Sequence, residues 1–287
     1  MNRRIFLRGG TLGVGLAALS TLTFFKAKGE QMSEIRFDLG KNIVETAKHS
    51  GVPAFQTGNV DGLVSYSVAN VPPQVTAVYT RPGYEIRWQQ LFAFTLYADK
   101  KRSPDMFVES VTLQHRADFK SHAEAQAFVM QTFRQFKQGK WKRAFPEGVA
   151  RLTGRSSLLD ENGKVDGYAS SPDPDYEMSP EDWQALMHLG AQWSWSGDGI
   201  LASLDVSTTG AGTDGAPAYS MGLSFDIEKI QNEILQKNVE YENKQLAAQG
   251  VDIAARDRKT KEEREVRNKR LEENAIKRGD KVLPQSP

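Results

Sequence analysis

The stretch Trp193-Ser-Trp-Ser-Gly-Asp-Gly-Ile-Leu-Ala-Ser-Leu-Asp-Val-Ser207 is typical of a β-hairpin and decides the fold class. Apolar and small polar residues mostly alternate on both sides of Gly197-Asp-Gly199. This triplet favours a tight turn because glycine adopts positive φ without a steric penalty. Since side chains alternate across a strand, Trp193 and Trp195 are expected on one face. We therefore predict two antiparallel strands here.

Further strand patterns lie on both sides of this hairpin. They cover residues 63–80, where Pro72-Pro73 separates two short strands, and residues 84–97, 106–114 and 219–225. Short alternating or apolar runs bounded by turn residues predict strands joined by hairpins.

Two helices are predicted between these strands. Ser121, with Glu124 three residues later, begins an amphipathic pattern that Gly139 ends. Ser179-Pro180 begins a second helix, which carries Trp183 on its inward face. Strands with interspersed helices predict an α+β fold with a mainly antiparallel sheet.

The C-terminal region has a different composition. An amphipathic helix is predicted from residue 226, and residues 251–282 then contain nineteen charged residues. The larger apolar residues there, Val266, Leu271 and Ile276, are five apart, which fits neither a heptad nor a core-facing stripe. This pattern indicates a charged helical arm in solvent or a disordered tail. The alternative is an extended arm that folds on a partner.

Composition and charge exclude several classes of protein. The 287 residues have a net charge of +1, with five Lys/Arg against one Glu in residues 1–30 and eleven Lys/Arg against eight Asp/Glu in residues 251–287. Residues 31–250 therefore carry about −6, which disfavours nucleic-acid binding. The chain has no cysteine, and this excludes disulfides, thiolate metal sites and a cysteine nucleophile.

The N-terminus has the order of an export signal. Arg3, Arg4 and Arg8 precede an uncharged, mostly apolar run over residues 9–25, and Lys26 and Lys28 follow it. A basic segment before a short apolar one predicts a signal peptide, with the body facing the periplasm. The alternative is an uncleaved anchor in the inner membrane, although seventeen residues are few for a hydrocarbon core of about 30 Å.

The same segment resembles a twin-arginine (Tat) signal. Asn2 occupies the polar position of the motif, Arg3 and Arg4 form the pair, Phe6 and Leu7 match, and Arg8 takes the basic position. The resemblance implies export of the folded chain and covers only about 25 residues. The expected organisation is a signal or anchor over residues 1–29, an α+β domain over 30–225 and the helical region over 226–287.

Candidate site residues are few. His115, Asp118 and His122 could bind zinc through imidazole and carboxylate groups. A surface or capping role is the alternative, because a predicted turn separates the two histidines. Trp193 and Trp195 could form a binding surface with Trp183, since paired indoles stack on sugars or anchor protein interfaces, or the three could fill the core.

Two motif-like segments lack the context that their chemistry needs. Gly210-Ala-Gly-Thr-Asp-Gly215 matches G-x-G-x-x-G, but a strand rather than a helix is predicted after it, so a hairpin loop is expected. Asp160, Asn162 and Lys164 begin like a calcium loop, but Val165 stands where an EF-hand needs glycine. The sequence therefore predicts no cofactor.

No residue pattern identifies a catalytic group, since there is no G-x-S-x-G elbow and no informative pair of carboxylates. The sequence favours a non-catalytic envelope protein, periplasmic or anchored in the inner membrane, that binds another protein. Immunity proteins against periplasm-directed toxins and accessory factors of envelope machines are such proteins. The alternative is a Tat-exported periplasmic hydrolase whose site has no recognised motif. Partner, substrate and oligomeric state are not encoded in any motif.

Overall fold

The computed structural model describes residues 32–166, 171–212 and 215–284. The export signal, with Arg3, Arg4, Phe6, Leu7 and Arg8, lies outside the described residues. Within these three ranges, no helix combines the length and the apolar character needed to cross a bilayer.

The described residues form strands and helices in a mixed order. In chain order they are β1 (Glu34–Phe37), α1 (Ile43–His49), β2 (Gln56–Val60), β3 (Leu63–Ala69), β4 (Thr76–Tyr79), β5 (Ile86–Trp88), β6 (Leu91–Asp99), β7 (Ser110–His115), α2 (His122–Gln138), β8 (Lys142–Arg143), a 3-10 turn (Gly154–Leu158), α3 (Pro180–Leu189), β9 (Ala191–Gly197), β10 (Ile200–Ala211), β11 (Pro217–Ile227), α4 (Glu228–Ala248) and α5 (Ile253–Arg278).

The strands form two sheets. The larger has eight strands in the order β2-β3-β6-β7-β11-β10-β9-β8, and all its neighbours are antiparallel. The smaller has the order β1-β4-β5, in which β1 is parallel to β4. The predicted α+β fold with a mainly antiparallel sheet and a C-terminal helical arm is confirmed.

The central hairpin forms where the sequence predicts it. Asp198 and Gly199 have φ of 50° and 72°, which gives the two-residue turn between β9 and β10. Trp195 pairs with Ala202 and Trp193 with Leu204, so the large side chains of both strands lie on one face. This face becomes the core side of the sheet.

The core lies between the large sheet and a layer formed by the small sheet, α2 and α3. Phe37 of β1 meets Phe225 of β11 at a ring-centroid distance of 5.5 Å. On the same face of the sheet, Phe136 of α2 stacks on Trp195 with ring centroids 3.8 Å apart and an interplanar angle of 5°. These contacts bury apolar area, the main favourable contribution to folding.

The opposite face of the large sheet carries small polar side chains. One row of hydroxyl residues crosses six neighbouring strands, because each pairs with the next in register. The row is Ser67, Thr95, Thr112, Ser224, Ser203 and Ser194. Ser203 is buried, and the other five residues are half-buried.

Both predicted helix starts are found. The Ser121 hydroxyl accepts the backbone N–H of Glu124 at 3.2 Å, and the Ser179 hydroxyl accepts that of Asp182 at 3.1 Å. These bonds satisfy N–H groups that have no partner inside the helix. The α2 helix is followed by Gly139, as expected.

The strand predicted over residues 106–114 is shorter than expected. Met106 has φ of 49°, and the chain from there to Val108 bonds to the loop before α1 instead of to a strand. The Val108 N–H donates to the carbonyl of Lys41 at 2.7 Å, and β7 begins only at Ser110. This contact with a distant loop is invisible in a local pattern.

Candidate functional site

His115 is part of the core. Its side chain is among the buried polar groups, and its ring stacks on Phe119 with centroids 5.1 Å apart and an interplanar angle of 5°. Its Nδ1 accepts the backbone N–H of Ala117 at 2.7 Å. Burial, helped by the charge of Arg116, lowers the pKa of His115 to about 4. A neutral imidazole held among aromatic rings is a packing group.

The other two residues of the predicted zinc group lie in different surroundings. His122 begins α2, and its Nδ1 lies 2.7 Å from the Tyr219 hydroxyl, while Asp118 is exposed. No three His, Asp or Glu side chains among the described residues are arranged to hold a metal ion. The structure therefore does not bring His115, Asp118 and His122 together as a ligand set.

A hydrogen-bonded relay fixes His122. The Trp183 Nε1–H donates to the Tyr219 hydroxyl oxygen at 2.8 Å. The same hydroxyl lies 2.7 Å from Nδ1 of His122, and either group can be the donor, because a hydroxyl both donates and accepts. In a catalytic triad an acceptor on Nδ1–H orients the base. The Tyr219 hydroxyl likewise holds the imidazole of His122 in one orientation through its contact with Nδ1.

This histidine borders a polar pocket of about 420 Å³. Its lining includes Ser121, Gln184, His188, Thr208 and Gly210. Such a pocket could hold a small polar molecule through hydroxyl, amide and imidazole groups.

Gly210 and Ala211 at the end of β10, and Gly215 before β11, belong to the G-x-G-x-x-G segment and line this pocket. Residues 213–214 lie outside the described residues, and the Gly212 N–H donates to the Ala216 carbonyl at 2.7 Å. Because β11 follows instead of a helix N-terminus, the segment does not form a dinucleotide site.

The three tryptophans fill the core. Trp183, Trp193 and Trp195 are at most 4% exposed. Trp193 packs on Phe133 with ring centroids 5.0 Å apart. The indoles therefore do not form an exposed binding surface, and core filling, the alternative that the sequence leaves open, describes their placement.

The α4–α5 arm is the most exposed part of the described chain. None of the 21 residues of α4 is buried, and Leu235, Val239 and Tyr241 are among the exposed large apolar side chains. In α5 only Leu271 and Ala275 are buried. The two helices touch near their connecting loop, where the Arg256 guanidinium donates to the Asn243 side-chain oxygen at 2.7 Å.

The C-terminal end of α5 packs on the body, and we call this contact the clasp. Leu271 and Ala275 form a small separate cluster with Ala150, Leu152 and Val282. Val282 also forms an antiparallel bridge with Leu152. The charged tail is thus a helix that is packed at its C-terminal end.

Polar bonds reinforce this clasp. The Asp280 carboxylate accepts the Ser156 N–H at 2.9 Å, and the Asn268 side chain donates to the Gly148 carbonyl at 2.8 Å. The Asn274 side chain donates to the Glu161 carbonyl at 3.1 Å. No local pattern in the sequence indicates these contacts, because the partners are more than 100 positions away.

A groove of about 790 Å³ lies at the root of the arm. The first turns of α4 form one wall and the turn between β9 and β10 forms the other. Arg81 lies at its base, where the guanidinium bonds to Asp38 and to the carbonyls of Leu39 and Asp198. Because these groups already bind its guanidinium, Arg81 has a structural role and links the segment after β1 to the turn between β9 and β10.

No protein-family model, curated protein or solved structure matches this chain.

Proposed function

We propose that this protein is an exported bacterial envelope protein that binds another protein and has no catalytic role of its own. It acts as an immunity or accessory factor, either free in the periplasm or anchored in the inner membrane. The observation that carries the proposal is the α4–α5 arm, an ordered helical hairpin that exposes apolar side chains and contributes almost nothing to the core.

The energetics of the arm support a binding role. Helices draw most of their stability from burying an apolar face, and α4 buries none of its residues. Val239 is 51% exposed on this helix, and its neighbour Leu235 is also exposed. The clasp at Leu271 nevertheless holds the hairpin in place. An ordered helix that presents apolar side chains to solvent offers a ready surface for a partner.

The placement of the candidate site residues supports the same proposal. His115 and the three tryptophans are held in the core, so they are not available to a substrate. The Tat-like segment with Arg3 and Arg4 supports export and therefore favours a partner in the envelope. Together these observations favour binding over catalysis.

The arm is tested with paired substitutions on its exposed surface. Leu235→Asp with Val239→Asp places two negative charges on the apolar surface, and Lys237→Asp between them lowers the net charge by the same two units. All three side chains are exposed, so the fold is expected to remain intact. The full-length proteins are cross-linked in cells, and the mass of the purified envelope complex is measured. We expect a stoichiometric protein complex that the double variant loses and Lys237→Asp keeps. A chain that stays monomeric in the wild type would contradict the proposal.

Export is tested separately with Arg3→Lys and Arg4→Lys. These changes keep the positive charge and remove the guanidinium pair that the Tat route is expected to require. We expect the double variant to accumulate in the cytoplasm, whereas Lys26→Arg leaves the protein in the envelope fraction. Equal envelope amounts of wild type and double variant would reject the Tat route.

The polar pocket favours one second candidate function, a periplasmic hydrolase. The specific observation is the positioning of His122 by Tyr219. The test compares turnover of a panel of chromogenic esters and glycosides by wild type, His122→Gln and the exposed-site control His49→Gln. Turnover that only His122→Gln abolishes would support the hydrolase and displace the binding proposal.

A further inference from the structure

The two sheets have four edge strands, and three of these edges are closed by other parts of the protein. The edge of β5 is capped by one side chain, Gln135. Its amide oxygen accepts the Arg87 N–H at 2.7 Å, and its amide nitrogen donates to the Arg87 carbonyl at 2.9 Å. This bidentate contact satisfies the backbone groups that a free edge leaves unpaired.

The β1 and β8 edges are also protected. The Arg36 N–H of β1 donates to the Ser50 carbonyl at 2.9 Å, so the chain after α1 lies along that edge. The β8 strand has two residues, and its Arg143 side chain bonds to the carbonyls of Leu152 and Ser171 on the neighbouring segment. Short or covered edge strands are common protections against pairing with other chains.

The β2 edge has none of these protections. Its sequence, Gln-Thr-Gly-Asn-Val, contains no charge and no proline, and four of its five residues are exposed. Among the described residues, its one neighbour in the sheet is β3, and no other segment bonds to its outer side.

The turn after β2 determines which backbone groups face outward. Asp61 and Gly62 have φ of 51° and 94°, which gives a two-residue turn between the paired residues Val60 and Leu63. In such a hairpin the flanking pair exchanges both backbone hydrogen bonds, and so does every second pair beyond it. The N–H and C=O groups of Thr57 and Asn59 therefore point away from β3.

This edge is held in an extended conformation before any partner arrives. Phe55, just before β2, packs on Tyr66 and Phe94 with centroid distances of 5.9 and 6.2 Å. At the other end, Lys101 pairs with Asp61, and the Gly62 carbonyl accepts the Lys100 N–H at 2.9 Å. Because both ends are fixed, a new strand could pair here without first ordering the hairpin.

We propose that β2 receives an extended segment of the partner protein as a ninth strand of the large sheet. This inference rests on the proposed protein-binding function and names its point of contact. Backbone groups of Thr57 and Asn59 recognise the segment by hydrogen bonding, the mode known as β-strand addition. Val60, 63% exposed, and the exposed Leu63 favour a segment with an apolar residue at that end. The uncharged edge favours a segment without charges facing it.

A second copy of this chain is a poorer occupant of the edge. Pairing β2 with β2 joins five residues from each copy. A stable interface of standard size takes roughly 20 to 30 residues from each side. Five paired residues supply only part of such an interface, so the occupant needs further contacts, which an extended segment of a larger partner can make on the rest of the sheet.

The test uses a matched pair of substitutions at Thr57. Thr57→Pro removes the outward N–H, and it spares the ladder to β3 because that N–H does not take part in it. Thr57→Val keeps the N–H and changes only the side chain. Random 12-residue peptides displayed on phage are selected on the detergent-solubilised full-length protein. The affinities of synthetic selected peptides are then measured for wild type and both variants, together with amide hydrogen exchange.

We expect selected peptides to slow the exchange of the Thr57 and Asn59 amides in the wild type. Affinity is expected to fall at least tenfold in Thr57→Pro and to remain unchanged in Thr57→Val. Equal binding to Thr57→Pro, unprotected Thr57 and Asn59 amides, or no selected peptide would each overturn the inference. A dimer that protects these amides would also overturn it, in favour of a second copy. If Thr57→Pro does not fold, the exchange measurement on the wild type decides.

The outcome can be separated from that of the proposed function. If a partner complex persists in Thr57→Pro but is lost with Leu235→Asp and Val239→Asp, only the proposal of strand addition is contradicted. The absence of any partner complex in the wild type removes the protein-binding function itself.

Discussion

The large sheet and the α4–α5 arm are ordered by different means. In the sheet, Trp193, Phe94 and Phe225 lie in one continuous core with almost no exposure. In the arm, no residue of α4 is fully buried, and α5 is attached through Leu271, Ala275 and a few polar bonds. The body is therefore stabilised by burial, whereas the position of the arm depends on the small clasp. Loss of a core residue should therefore destabilise the whole body, whereas loss of a clasp residue should release only the arm.

The largest effect is expected from truncating the aromatic core. Trp193→Ala removes a side chain that is 1% exposed and packed on Phe133, so the free energy of unfolding should fall by about 3 to 5 kcal/mol. Denaturant unfolding of wild type and variant measures this change. Val239→Ala on α4 is the control and should change stability by less than about 0.5 kcal/mol. Comparable losses in the two variants would abolish the contrast between body and arm.

The next effect depends on pH. Because the pKa of His115 is lowered from 6.5 to about 4, the unfolded chain binds a proton between these values and the folded chain does not. The free energy of unfolding should fall as pH drops from 6.5 to 4, by up to roughly 3 kcal/mol from this residue at 1.36 kcal/mol per pH unit.

Comparison with His115→Phe isolates the contribution of this histidine. The variant loses the acceptor for the Ala117 N–H and is less stable overall, but its stability should depend less on pH in this range. Denaturant unfolding at several pH values measures the slopes, with the exposed His188→Gln as control. A slope that His115→Phe leaves unchanged would show that carboxylates alone cause the acid sensitivity.

The clasp gives a smaller and local effect. Leu271→Ala should lower the free energy of opening of α5 by about 2 kcal/mol, because the lost side chain is 2% exposed in the small cluster. Hydrogen exchange should speed up in α5 while the amides of β9 to β11 keep their protection. Ile276→Ala, on the same helix but 66% exposed, is the control. Equal acceleration in the sheet would mean that arm and body unfold together.

The smallest effect concerns the start of α5. The Asp252 carboxylate accepts the Ala255 N–H at 2.9 Å and caps the helix. Asp252→Ala should destabilise the beginning of α5 by about 1 kcal/mol, whereas Asp252→Asn should retain the cap. Exchange of the Ala255 amide measures the difference. Equal exchange in both variants would indicate that the cap contributes little to the order of the arm.

Local sequence patterns were sufficient to predict the α+β class and those elements from β3 onward that have strong strand, turn or capping signals. The Gly197-Asp-Gly199 turn, the Ser121 and Ser179 caps and the break at Pro72-Pro73 are each set by backbone chemistry within a few residues. The alternation around Trp193 and Trp195 likewise fixes which side chains share a face. Such features need no distant partner, so the sequence alone determines them.

Other features were decided only by contacts between distant segments. The small β1-β4-β5 sheet, the relay from Trp183 through Tyr219 to His122, and the clasp of Leu271 on Leu152 join residues far apart in the chain. In α5 the spacing of Val266, Leu271 and Ile276 does not indicate which of them is buried. Leu271 is buried because it packs on the body. The open β2 edge is likewise defined by what does not pack beside it in the described fold. Local sequence determines the conformation of the backbone, whereas burial and exposure depend on which surfaces the complete fold brings together.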